Sequence, residues 1–114
     1  MEPLGKQGEK LAVKFLKTIG YKILAQNYRC ALGEIDIIAQ DKNTLVFIEV
    51  KTRKSDVITK PFESIGQRKQ LKLRSLAEFY LQEKEVFDRE IRFDVLSIVH
   101  TNKGNEIEHI INAF

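Results

Sequence analysis

Two short apolar runs separated by a polar turn restrict this chain more than any other feature. Glu34-Ile35-Asp36-Ile37-Ile38-Ala39 and Leu45-Val46-Phe47-Ile48-Glu49-Val50-Lys51 flank Asp41-Lys42-Asn43-Thr44. Both runs are rich in β-branched residues and the residues between them form turns readily, so the segment reads as an antiparallel hairpin. A four-residue loop over Asp41–Thr44 sets Gln40 opposite Leu45, Ile38 opposite Phe47, Asp36 opposite Glu49 and Glu34 opposite Lys51. Side chains alternate across a sheet, which gathers Glu34, Asp36, Glu49 and Lys51 on one face. Ile35, Ile37, Val46, Ile48 and Val50 are expected on the other.

The hairpin sits inside a regular succession of elements. Leu4, Gly8, Leu11, Ala12, Phe15, Leu16 and Ile19 recur at helical spacing and Gly20 follows, predicting an amphipathic helix with a glycine stop. Tyr21 to Arg29 reads as a strand leading to the hairpin, which Gly33 opens. Ser55 to Pro61 reads as a loop, and a second helix is expected from about Glu63 to Lys84, with Ile65, Leu73, Leu76, Ala77 and Tyr80 on one side. Ile91–Val99 and Glu106–Ile111 read as strands joined through Thr101-Asn102-Lys103-Gly104. Short turns make the first strands an antiparallel meander. The long second helix works as a crossover, placing the next strand parallel to Leu45–Lys51. The expectation is a single α/β domain over residues 1–114, with a mixed central sheet of about five strands and helices on both faces.

Composition narrows the chemistry. Hydrophobic residues make up 43% and charged residues 31% of the 114 residues, an ordinary globular balance. The formal charge of +3 is compatible with a nucleic-acid partner without identifying one. A lone cysteine, Cys30, excludes an intrachain disulfide and a multi-cysteine zinc site, and His100 with His109 are too few for a histidine cluster. Any metal would therefore be held by carboxylates, favouring Mg²⁺ or Mn²⁺. No apolar run approaches the roughly 20 residues that span a bilayer, and Met1-Glu2-Pro3-Leu4-Gly5-Lys6 has no secretory character. A reducing cytoplasm is the expected home, with no membrane partner.

Like charges across a ladder stand about 4.5–5.5 Å apart at Cβ and destabilise a sheet unless something positive offsets them. Lys51 does part of this; a divalent cation between Asp36 and Glu49 would do more, acidifying a bound water and neutralising charge on a phosphate. Lys51 beside it could orient that water or stabilise developing charge. Glu49-Val50-Lys51 alone is a common pattern of solvated strands, and a surface ion cluster is the competing reading.

Taken together, Gly33-Glu34-Ile35-Asp36 and Glu49-Val50-Lys51 resemble the PD-(D/E)xK nuclease superfamily, with its restriction-endonuclease-like three-layer fold. More closely, the chain resembles the YraN-like family of small bacterial proteins, similar in fold to archaeal Holliday-junction resolvases. The matching stretches are Gly5-x-x-Gly8-Glu9-x-x-Ala12, Asn27-Tyr28-Arg29, Gly33 to Ala39, Leu45 to Arg53, Lys69-Gln70 and Arg92-Phe93-Asp94-Val95. The literal Pro-Asp is absent, since Ile35 precedes Asp36. The resemblance implies an Mg²⁺- or Mn²⁺-dependent endonuclease, with Asp36 and Glu49 as metal ligands, Lys51 as catalytic lysine and Glu9 as an accessory acid near the metal. Branched DNA and a two-fold homodimer follow from the resolvase likeness as expectations. Arg53, Lys69 and Arg29 are the candidate nucleic-acid contacts. A non-catalytic nucleic-acid-binding module on the same fold is the alternative.

Overall fold

The computed structural model describes residues 2–55 and 65–114. Helix α1 runs Leu4–Thr18 and ends as its glycine suggests. Gly20 takes φ +90°, its amide donates to Lys17 O at 3.1 Å, and the Tyr21 amide donates to Leu16 O at 2.9 Å. This pair of bonds is a Schellman stop, which needs a residue free to adopt positive φ. Strands β1 (Lys22–Cys30), β2 (Gly33–Asp41) and β3 (Thr44–Lys54) follow as an antiparallel meander. Helix α2 (Gln67–Glu83) crosses over to β4 (Ile91–Thr101), which pairs parallel to β3, and β5 (Gly104–Ile110) returns antiparallel. The strand order is β1-β2-β3-β4-β5.

Each helix buries one sheet face. Ala12 and Leu16 of α1 pack against Ile37, Ala39, Val46, Ile48, Leu96 and Ile98. Leu73, Leu76, Ala77 and Tyr80 of α2 pack against Ile35, Ile38, Leu45, Phe47 and Phe93. The expected α/β architecture, a mixed sheet of five strands between helices, is therefore the observed one. Among the described residues no helix is long and apolar enough to cross a membrane. Residues 56–64, which hold most of the expected Ser55–Pro61 loop and the expected helix start at Glu63, lie outside the described residues; α2 as described begins at Gln67.

Two details of the hairpin differ from the sequence expectation. Asp41 pairs with Thr44, so the turn is Lys42-Asn43 rather than a four-residue loop, with Lys42 at φ 55°. Gln40 still faces Leu45, since both turn lengths give that register. The second difference is larger. Ile35 packs under α2 with Ile38, while Ile37 faces α1, so strict alternation fails at Asp36. In β1, Ala25 and Tyr28 likewise both lie on the α2 side. Between the pairs Gln26↔Ile37 and Tyr28↔Ile35 stands Asn27 at φ 53°, a left-handed conformation that asparagine tolerates. The kink there turns both strands over.

Close approach of α1 to the sheet depends on Gly8. A Cβ at that position would lie 2.0 Å from Thr52 Oγ1 of β3, so the contact admits no side chain. On the same face a buried polar cluster ties the strands together. Asp94, fully enclosed, accepts from Arg92 Nε at 2.9 Å, His109 Nε2 at 2.8 Å and the Asn112 amide at 3.0 Å. Arg92 also reaches Asp41 and the Tyr21 hydroxyl. Asp94 is thus a structural ion-pair centre, satisfied on every side.

Candidate functional site

The β2–β3 ladder ends at Ile37↔Ile48. Beyond that pair the Asp36 side chain takes the place of a backbone acceptor: Oδ2 receives the Val50 amide at 2.8 Å. The expected direct pairing of Asp36 with Glu49 across the ladder is therefore replaced by a side-chain junction. Because Asp36 is drawn onto β3, its carboxyl still meets that of Glu49, and the two share a hydrogen bond. Glu49 is buried on the α2 face.

Two carboxyls in such a place cannot both ionise cheaply. Burial, then the Glu49 hydrogen bond and charge, push the Asp36 carboxyl up to about 8, against the opposing pull of the Val50 amide. Burial also pushes Glu49 up, but its contacts with Asp36 and Lys69 and the nearby charge of Lys51 outweigh that and hold it below the ordinary carboxylate range. Of the two, Asp36 is the carboxyl that holds a proton more tightly.

Lysines supply the positive charge. Lys51, half-buried on β3, lies beside Glu49 and Lys69. Lys69, from the start of α2, places Nζ 2.7 Å from Glu49 Oε2. This is an ion pair in distance, yet no donor is aligned with that buried oxygen. Among the described residues the buried side-chain polar atoms without an aligned partner are Glu49 Oε2 and Arg53 Nε. Both belong to β3 and both come from alternate positions continuing the Glu49–Lys51 series.

The remaining sequence candidates fall around this centre. Glu9, half-buried on α1, is near enough to raise Asp36 electrostatically. It does not complete a carboxylate cluster: among the described residues no group of three or more His, Cys, Asp or Glu side chains is gathered tightly enough to hold an ion. Arg29 is exposed and pairs with Glu34 at 2.7 Å across the β1–β2 ladder. Glu34 is thereby engaged with Arg29 rather than with the acid pair. Lys69 was expected as a phosphate contact; its position against Glu49 is a long-range consequence of the crossover that spacing could not reveal.

The donor set suits a hard divalent ion. Mg²⁺ is typically bound through one or two carboxylates with waters completing its octahedron, and the adjoining Asp36 and Glu49 carboxyls are donors of that kind. It does not suit zinc, for among the described residues no histidine or thiol joins the group.

Fold and site together define a small α/β protein, a helix–sheet–helix domain with an adjoining Asp–Glu pair at a splayed hairpin, faced by lysines from strand and helix. This chain belongs to the uncharacterised protein family UPF0102, whose model matches residues 8–98, a span that holds Glu9, Asp36, Glu49, Lys51 and Lys69. A UPF0102 protein of Thermodesulfovibrio yellowstonii is 51% identical over 113 residues, covering 97% of this chain and 95% of that one. Relatives in Caldicellulosiruptor saccharolyticus, at 48% identity, and Syntrophus aciditrophicus, at 46%, cover 97% and 96% of the chain and 96% and 87% of their own lengths. Among solved structures, a chain of an EndoMS–dsDNA complex superposes with a TM-score of 0.47 at 17% identity, over 82% of this chain and 36% of that one.

Proposed function

We propose that the chain is a Mg²⁺- or Mn²⁺-dependent nuclease that hydrolyses phosphodiester bonds in DNA. The observation that carries this reading is the meeting of the Asp36 and Glu49 carboxyls at the opened hairpin, a pairing of like groups that is electrostatically costly and that Lys69 and Lys51 offset only in part. A divalent ion would offset that cost further, and the donor chemistry favours one. Asp36 and Glu49 would hold the ion, and Glu9 would deepen the negative potential around it. Bound there, the ion would lower the pKa of a water and neutralise charge on the phosphate.

The chain's own residues supply the rest. Val50 N–H fixes the Asp36 carboxylate, so its orientation does not depend on the ligand. Lys51 is placed to orient an attacking water or to stabilise charge growing on the phosphoryl oxygens. Arg53, Lys69 and Arg29 offer cations to the phosphate backbone, a contact that positions without reading sequence. The lone Cys30 suits a reducing cytoplasm.

Cleavage of labelled duplex, flapped, branched and single-stranded DNA with Mn²⁺ tests this. Wild type is expected to cut at least one of them, with Asp36→Asn and Lys51→Ala losing at least ~100-fold. Equal cleavage by the variants would remove the mechanism. Binding without cleavage by wild type would instead identify a nucleic-acid-binding module.

A further inference from the structure

We propose that Lys69 is the resident counter-cation of this site, leaving Glu49 when a divalent ion is captured and then presenting its ammonium to a nucleic-acid phosphate. The inference rests on the metal-dependent reading above and adds a coupling between ion and nucleic acid.

The geometry points this way in three respects. Nζ of Lys69 stands 2.7 Å from Glu49 Oε2, the oxygen that lacks an aligned donor. A divalent ion taking that oxygen as ligand would repel an ammonium held at that distance, so the two cations compete for Glu49. Second, the partners differ in exposure: the Glu49 side chain is 8% exposed and that of Lys69 46%. The acid is fixed in the sheet while the cation hangs at the mouth, on a flexible four-carbon stem that can swing outward. Third, the start of α2 is unusually cationic. Its first turn has no acidic residue, Gly66 offers no side-chain cap, and Arg68 and Lys69 sit there against the helix dipole. A helix start of this kind favours an anion. Glu49 fills that role in the protein alone, and a phosphate could take it over once Glu49 is committed to an ion.

Exchange of partners makes the two bindings cooperative. Each should strengthen the other by the same factor, because coupling free energy is reciprocal. Lys51 does not duplicate this role, since it is carried by the same rigid strand as Glu49.

The test compares wild type with Lys69→Gln, Lys69→Arg and Lys72→Gln. Lys72 is a neighbouring α2 lysine whose side chain lies over Gly33, so it controls for lost charge. Calorimetric titration with Mn²⁺ alone gives ion affinity. Anisotropy of a fluorescent duplex oligonucleotide, with and without Ca²⁺, gives the coupling. Lys69→Gln should bind Mn²⁺ roughly 5–10-fold tighter than wild type, and Lys69→Arg should stay close to wild type. The duplex affinity of wild type should rise about tenfold on adding Ca²⁺, and that of Lys69→Gln less than about twofold. If wild type binds Mn²⁺ and Lys69→Gln binds it no more tightly, the exchange is refuted while the metal site stands. The exchange is equally refuted if Lys72→Gln gains as much as Lys69→Gln. If none of the proteins binds Mn²⁺, the metal-dependent reading falls and this inference with it.

Discussion

Asp36 Oδ2 accepts the Val50 amide at 2.8 Å, so a carboxylate from β2 occupies a rung that a backbone carbonyl would otherwise fill on β3. That bond opens the hairpin at the point where the acids meet. It also keeps Asp36 within reach of Glu49 while preventing it from turning to solvent. The consequences for stability are measurable without any substrate.

The first is a pH dependence with an inverted sign. The folded-state pKa of Asp36 is about 8, above its ordinary 3.8, so between these values the folded protein holds a proton that the unfolded chain has lost. Stability therefore falls as pH rises through that window. Glu49 contributes in the opposite sense and lower down: its stabilisation is present above its ordinary 4.5 and lost as pH falls through the depressed folded value. Asp36→Asn keeps an oxygen for the Val50 amide and removes the charge. In EDTA at pH 9 it should melt about 5 °C above wild type, with the gap closing towards pH 5. A variant that melts lower at pH 9 would mean the carboxyl pair carries no strain.

A divalent ion should reverse that penalty. Saturating Mn²⁺ at about 100 times its Kd stabilises a folded protein by about 2.7 kcal/mol, an increase of several degrees in Tm. Wild type should show it at neutral pH. Asp36→Asn and Glu49→Gln should each lose most of it, whereas Glu9→Gln should retain a reduced part, because Glu9 stands outside the hydrogen-bonded pair. A full shift in Glu49→Gln would place the ion elsewhere.

How much of this was legible in the sequence depends on how local each interaction is. The Gln40–Leu45 register survived an incorrect turn length because adding a pair at Asp41–Thr44 does not alter parity. Gly20 announced the end of α1 because a Schellman stop is a demand on one residue's φ. The face switch at Asp36 was hidden: nothing in Ile35-Asp36-Ile37 reveals that Asn27, on another strand, adopts positive φ opposite it. The meeting of Lys69 with Glu49 was equally hidden, since it arises only after the crossover folds α2 over the sheet. That Asp36, Glu49 and Lys51 lie together was readable from the pattern; the junction of Asp36 with β3 through a side-chain bond was not.

Asp94 tests the opposite kind of buried acid. Burial pushes its carboxyl up, but His109, Arg92 and the Asn112 amide hold it below the ordinary range. Its stabilisation is present above pH 3.8 and is lost as pH falls through the depressed value. Asp94→Asn leaves Arg92 facing a neutral amide and should cost about 3–5 kcal/mol in urea unfolding at pH 7. The loss should shrink in acid. An unchanged midpoint would show that Arg92 finds enough compensation in Asp41 alone.

The fit of α1 on β3 gives the most direct structural test. A methyl at position 8 would sit 2.0 Å from Thr52 Oγ1 and 3.0 Å from Thr52 Cβ and Cγ2, on a helix whose Ala12 and Leu16 are locked into the core. Gly8→Ala gains helix propensity of roughly 1 kcal/mol, yet overpacking of this kind costs about 1–3 kcal/mol, so the net effect should be destabilising. Thr52→Ala removes the hydroxyl and the methyl that collide. The double variant should therefore be more stable than the sum of the single changes predicts, with a coupling of at least about 1 kcal/mol in a double-mutant cycle. Glu9 follows Gly8 on the same helix, so the clash should also move it from Asp36. The Asp36-dependent fall in stability between pH 5 and 9 should become shallower in Gly8→Ala and recover in the double variant, because one of the charges raising Asp36 has been withdrawn and then restored. Additive energies with an unaltered pH profile would show that α1 yields locally and that its spacing from the sheet does not set the charge felt at the acid pair.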